Sequence, residues 1–208
     1  RCGMDFFFPF CSSFYLSHWS QPNLIKRNLS REGLVKIGFF GNPENLDQRL
    51  AKTITQFCFE NQIEFELVHD WKKWKDYSDF DLILAIRDFR GMEHHNKPFS
   101  KVINAILAGV PVIASSESSS VYFKKKYFPK LPIVSKEDQL FDMILEIKAN
   151  YPYYLKSINK IKDFLEKSYE NEVVNSWNDV FKKSKQLHKI WSNSSNFSRR
   201  IFLTSREL

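Results

Sequence analysis

From Leu34 onward, stretches with strand and helix periodicity alternate, and this restricts the fold more than any other feature of the chain. Val35–Phe40 is a β-rich apolar run stopped by Gly41-Asn42-Pro43. Leu46–Asn61 places apolar residues at 46, 50, 54, 57 and 58, the spacing of one helix face. Phe65–Val68 reads as a second strand and Leu82–Ile86 as a third. The third is apolar throughout, as in strands buried on both faces of a parallel sheet. Pro98 suits a helix start, and Val102, Ile103, Ala105, Ile106 and Leu107 continue that helix to a C-capping Gly109. Val110–Ala114 is a fourth strand, Ser115–Lys126 a short helix begun by cap-forming serines, and Ile133-Val134 a fifth strand. Ser135–Asn150 opens Ser-x-x-Asp, with Ser135 as N-cap, and is helical. Two further helices are expected over 152–168 and 170–190.

The pattern predicts an α/β fold, a Rossmann-like parallel sheet sandwiched by helices. Ligands of such sheets bind beyond the carboxyl ends of the strands, so functional residues are expected in the loops after positions 40, 68, 86 and 114. Upstream, Phe14–Trp19 could form a short strand, and polar Ser20–Gly33 reads as a linker. Residues 1–33 are expected to be the end of a preceding domain and a hinge, 34–181 the sheet domain with closing helices, and 182–208 a basic, frayed tail. The 208 residues start with Arg1, which fits a processed product or part of a longer protein.

Charge and cysteine content narrow the function. The net charge is +7, but residues 182–208 carry +6 of it, leaving the rest near neutral. A broad basic face for nucleic acid is not needed. The tail intersperses Trp191, Phe197, Ile201 and Phe202 with its cations, which suits a disordered end or weak contact with an anionic membrane. Three cysteines without CxxC spacing argue against a disulfide framework or a structural zinc site. No apolar run approaches the roughly 18 residues of a membrane span. The Phe-rich start, broken by Pro9, lacks the cationic lead and cleavage site of a signal peptide. A cytoplasmic location, peripheral at the inner face of the membrane if the tail binds lipid, is the expectation.

The segment richest in chemistry is Lys97-Pro-Phe-Ser-Lys-Val-Ile-Asn-Ala-Ile-Leu-Ala-Gly-Val-Pro-Val-Ile-Ala-Ser-Ser-Glu117. Lys97 precedes a helix and Lys101 lies in its first turn, where the helix dipole disfavours cations. An anion seated between them and the exposed N–H groups explains the placement; two merely solvated lysines are the other reading.

Within it, Asn-Ala-Ile-Leu-Ala-Gly-Val-Pro-Val-Ile resembles the nucleotide-sugar-binding motif in the C-terminal domain of GT-B glycosyltransferases. The longer Lys-Pro-x-Ser-Lys-x-x-Asn-Ala-x-x-Ala-Gly-Val-Pro resembles a bacterial subset of that superfamily. The likeness runs from about Trp19 to Phe181: His18–Arg27 looks like the hinge, Lys36-Ile-Gly-Phe-Phe-Gly41 like the first strand and glycine turn, and Ser176-Trp177-Asn178 like the closing helix.

The resemblance implies transfer of a hexosyl unit from a nucleotide-diphosphate sugar, without a metal, to a glycan or lipid-linked acceptor in polysaccharide synthesis. It implies that Gly41 and Asn42 form the turn at the diphosphate, that Arg87 and Lys97 stabilise the leaving group, and that Ser100 and Lys101 add donors. Asn104 stands where many relatives grip the ribose with a Glu, and Glu117 could make that contact instead. Many retaining members carry two Glu eight positions apart; here Asn96 and Asn104 occupy those positions, and retention versus inversion stays open. The acceptor side of the enzyme would belong to a missing N-terminal domain. A non-catalytic nucleotide-sugar or phosphate-binding module, and a sugar-nucleotide epimerase of the same fold, are the alternatives.

Other polar clusters have blander first readings. His94-His95 is read first as a solvated loop and second as a substrate contact. Trp71-Lys-Lys-Trp74 is read as surface packing before base stacking. Asp79 and Asp81 are read as caps where the third strand begins, Cys2, Cys11 and Cys58 as packing residues, and Lys124–Lys126 as a solvated helix end.

Overall fold

The structure is a computed structural model that describes residues 16, 18–89 and 97–198. Its centre is a five-stranded, wholly parallel sheet in the order β2-β1-β3-β4-β5. The strands are β1 (Lys36–Phe40), β2 (Glu64–Val68), β3 (Leu82–Ala85), β4 (Val112–Ser115) and β5 (Ile133–Val134). The helices are α1 (Gln48–Glu60), α2 (Ser100–Leu107), α3 (Ser118–Lys126), α4 (Glu137–Ala149) and α5 (Tyr151–Asn193). This is the expected α/β, Rossmann-like architecture.

Alternation along the strands builds two cores. Ile37 and Phe39 of β1 and Leu82 and Leu84 of β3 face one side, where Leu50, Ile54 and Cys58 of α1 and Leu140, Ile144 and Ile147 of α4 cover them. Phe40 and Ile83 face the other side, under Val102, Ile103 and Ile106 of α2, Phe123 of α3 and Ile158, Leu165 and Tyr169 of α5. Gly38 opens a notch in this second face. A Cβ there would lie 2.6 Å from the Phe80 ring, which stands edge-on to Phe40.

Local chemistry sets the boundaries. Asp47 caps α1 by accepting the Leu50 N–H at 3.0 Å. Gly109, at φ +79, follows the C-cap of α2 as expected. Pro111 lacks an N–H, and β4 is assigned from Val112; the Pro111 carbonyl still accepts from Ile83 at 2.9 Å.

Three expectations need correction. The N-cap of α4 is Lys136, not Ser135: the Gln139 side chain reaches back to accept the Ser135 N–H at 2.9 Å. The expected pair of helices over 152–168 and 170–190 is one 43-residue helix, α5. No Gly or Pro follows Pro152 within it, and buried Tyr169 sits at the expected break, its hydroxyl donating to the His18 carbonyl at 2.7 Å. Residues 182–193, expected in a frayed tail, are therefore helical, though exposed up to Ile190. At the start, Leu16, His18 and Trp19 form no strand, and Phe14 and Tyr15 lie outside the described residues.

The linker is strapped to the body. Ile25 bridges to Asp76, and the Arg27 and Asn28 N–H groups donate to Ala108 and Ser78. Arg27 and Arg31 converge on the fully buried Asp81 carboxylate at 3.1 and 2.8 Å, which also accepts the Val35 and Lys36 N–H groups. Burial alone raises the Asp81 pKa; the Arg31 hydrogen bonds and the two N–H donors outweigh it and hold the carboxyl below its ordinary range.

Two outcomes follow. Asp81→Asn leaves the buried Arg27 and the partly buried Arg31 uncompensated and is expected to cost about 3–5 kcal/mol of unfolding free energy at neutral pH. Because the folded pKa is depressed, the stabilisation is present at neutral pH and lost as pH falls through that value, so the gap between wild type and variant should close in acid. Denaturant titrations at neutral and acid pH measure both. Gly38→Ala overpacks the Phe80 ring and should cost about 1–3 kcal/mol in the same assay.

Candidate functional site

The chain leaves β1, pairs β2 on one side, then crosses to place β3 on the other. That reversal opens a crevice between the carboxyl ends of β1 and β3, the position where open α/β sheets bind ligands. Gly41 ends β1 and is held by its N–H donating to the Val68 carbonyl at 3.1 Å. Its φ of +148° favours glycine. The Asp47 N–H donates to the Arg87 carbonyl at 3.0 Å and ties the two lips of the crevice together.

Lys101 dominates the electrostatics. It sits in the first turn of α2, its stem partly exposed. Its Nζ is shielded from solvent and has no hydrogen-bond partner among the described residues. The ammonium lies 3.7 Å from the Phe39 ring centroid, a cation–π contact. A Cβ on Gly41 would come within 3.3 Å of it, so the glycine leaves open the space beside Nζ. Burial first, then the charges of Arg87 and Lys97, push the Lys101 pKa down from 10.5 to about 7; Glu117 opposes them.

Arg87 and Glu117 form the second pair. Arg87 Nε lies 3.1 Å from Glu117 Oε1 as an ion pair, its N–H not aimed at the oxygen and without a hydrogen bond among the described residues. The same oxygen accepts from Ser115 Oγ at 3.1 Å. Glu117 precedes α3 without capping it, and the Ser118 and Ser119 hydroxyls are buried without partners among the described residues. Buried polar atoms are usually satisfied, so Arg87, Lys101, Ser118 and Ser119 together mark the end of the sheet where polar groups await partners.

Of the residues singled out in the sequence, Gly41, Arg87, Lys97, Lys101 and Glu117 are thus drawn around one crevice. Ser100 opens the first turn of α2 beside Lys101, and exposed Asn42 caps the short turn Pro43–Asn45. Asn104 is placed differently. It is 9% exposed, its Oδ1 accepts the Gln21 N–H at 2.8 Å, and its side chain bonds Tyr77, so it joins the linker to α2. His94, His95 and Asn96 lie outside the described residues.

Trp74 donates to the Val68 carbonyl at 2.9 Å, whereas Trp71 stands 68% exposed. Lys126 pairs with Glu172 at 2.6 Å, and Cys58 is buried in the core. Among the described residues, no three His, Cys, Asp or Glu gather as metal ligands, and no helix is long and apolar enough to cross a membrane. Sequence reading took Ser118 and Ser119 only as helix caps and missed them as members of this buried cluster; their position just after a strand that ends at the crevice was the available signal.

No protein-family model matches the chain, and no curated protein matches it. Among solved structures it is similar to a mutant of the Thermobaculum terrenum O-GlcNAc transferase, with a TM-score of 0.53 and 8% identity over 79% of this chain. At that identity the likeness shows the fold alone, an α/β, Rossmann-like domain. This chain spans 38% of that protein's length.

The burial of Lys101 has a direct test. With a folded pKa near 7 and an unfolded value of 10.5, the unfolded state binds more protons between those values, so this residue makes stability rise with pH across that window. Lys101→Met should flatten the rise, read as unfolding free energy from denaturant titrations between neutral and alkaline pH.

Proposed function

We propose that this chain is the donor-binding part of a hexosyltransferase, holding a nucleotide-diphosphate sugar at the crevice between β1 and β3. The observation that carries the reading is the buried Lys101 Nζ, without a hydrogen-bond partner among the described residues, beside the Gly41 turn and the Arg87 guanidinium. Three cations, Arg87, Lys97 and Lys101, meet at the uncapped first turn of α2. Such a cluster suits a multiply charged anion.

In glycosyl transfer the bond from the anomeric carbon to the diphosphate oxygen breaks as an acceptor oxygen bonds that carbon. The acceptor proton leaves to a base, and negative charge builds on the diphosphate. Cations and N–H groups fixed in advance lower the barrier there without reorganising. On this reading Arg87, Lys97 and Lys101 stabilise the leaving group, Gly41 lets backbone approach it, and Ser100 adds a donor. On the same reading Glu117, whose Oε1 is engaged by Arg87 and Ser115, accepts from a sugar or ribose hydroxyl through its second oxygen. The acceptor, and its role in polysaccharide synthesis, belong to the same proposal.

Saturating UDP or ADP should protect the chain from thermal unfolding, by RT ln(1 + [L]/Kd) of added free energy. The double variant Lys97→Ala with Lys101→Ala should fold, as circular dichroism would show, and lose the protection. Absence of a shift with every nucleoside diphosphate would sink the reading.

A further inference from the structure

Three cations gathered at one crevice repel one another, and one of them is placed where it can shed its charge. Among the described residues, the charges facing Lys101 Nζ are Arg87 from the loop after β3, Lys97 from the approach to α2, and Glu117 from the loop after β4. The end of β1, Phe39 to Gly41, brings none. Glu117 Oε1 is already shared between Arg87 and Ser115 Oγ. Lys101 is therefore left with the Phe39 ring as its partner, shielded from water and without an acceptor among the described residues. The space that a Gly41 side chain would fill adjoins its Nζ, so an anion settling on the Gly41 turn would supply the missing acceptor.

We propose that Lys101 is the charge-reading residue of the crevice, taking up a proton from solvent as the diphosphate of an activated sugar seats against the Gly41 turn. The proposal rests on the donor-binding reading and adds a specificity to it. Without ligand, a Lys101 that loses its proton above about pH 7 avoids repulsion with Arg87 and Lys97; with ligand bound, the second negative charge of the ligand repays the protonation. A ligand bringing one negative charge is satisfied by Arg87 and Lys97 and draws less from Lys101. The proton moves from buffer to Nζ, and no bond is made or broken in the ligand.

Calorimetric titration of the chain with UDP-glucose and ADP-glucose tests this. Both phosphates of these probes are esterified and carry no proton near neutrality, so proton uptake reports the protein. Two buffers of different ionisation enthalpy should give different binding heats, corresponding to uptake of about 0.9 proton per ligand at pH 8 and about 0.1 at pH 6, as a group titrating near 7 requires. Lys101→Arg, which stays charged, should bind without uptake. Lys101→Met should lose the uptake, weaken UDP-glucose at least tenfold, and weaken the singly charged methyl ester of UMP less.

Binding by the wild type with no buffer dependence at pH 8, uptake retained in Lys101→Met, or equal losses for the two ligands would overturn the proposal and leave the donor-binding reading standing. If neither sugar nucleotide binds at either pH, the donor-binding reading fails and the proposal fails with it.

Discussion

Asp81 ties together the amino end of the sheet. Its buried carboxylate accepts from Arg27, Arg31 and the N–H groups of Val35 and Lys36, so linker and β1 are fixed to the start of β3 by one group. Its own N–H donates to the Lys36 carbonyl, and its carbonyl accepts from Tyr151 at the start of α5. Such a cluster adds little stability over well-packed apolar residues, yet losing one member leaves uncompensated charge. It sets the β1–β3 register, and that register sets where the crevice opens.

The two ends of the sheet contrast. At the amino end the Asp81 oxygens are fully engaged, with donors from two side chains and two backbone groups. At the carboxyl end Lys101 Nζ, Arg87 Nε, Ser118 Oγ and Ser119 Oγ are buried without hydrogen-bond partners among the described residues, against Arg27 Nε alone beside Asp81. Rigidity at one end permits electrostatic strain at the other: cations that would otherwise separate are held together because β1, β3 and α2 cannot move apart without opening both cores. A preorganised site has this property, since the cost of gathering its charges is met in folding and not during ligand binding.

The fold was largely legible because each strand has a residue pattern that tolerates one environment. Leu82–Ala85 is buried on both faces and reads so from its apolar run, and Gly109 ends α2 for a reason local to its own backbone. What was illegible depended on distant partners. Helix α5 looks divisible at Ser168–Glu170 because that stretch is polar, but Tyr169 is anchored to His18, far away in sequence. The gathering of residues at the candidate site was legible where side-chain charge and turn geometry coincide, as at Gly41 and Lys101, which lie side by side. It was opaque at Asn104, whose position in the motif does not reveal that the Gln21 N–H and Tyr77 occupy its side chain.

That engagement of Asn104 also bears on how ligand binding could reach the rest of the molecule. Gln21, Asn104 and Tyr77 form a path from the linker into α2, and Lys101 lies three residues, almost one turn, before Asn104 on the same helix. Helix α2 is short and buried from Val102 to Ile106, so it moves as a unit or not at all. A charge change at Lys101 would then act on the position of a helix that also holds the linker, through packed atoms and the hydrogen bonds of Gln21 to Asn104 and Arg27 to Ala108. The linker is in turn fixed by Arg27 and Arg31 to Asp81. The buried charges at opposite ends of the sheet, one satisfied and one not, are therefore joined by a continuous set of physical contacts.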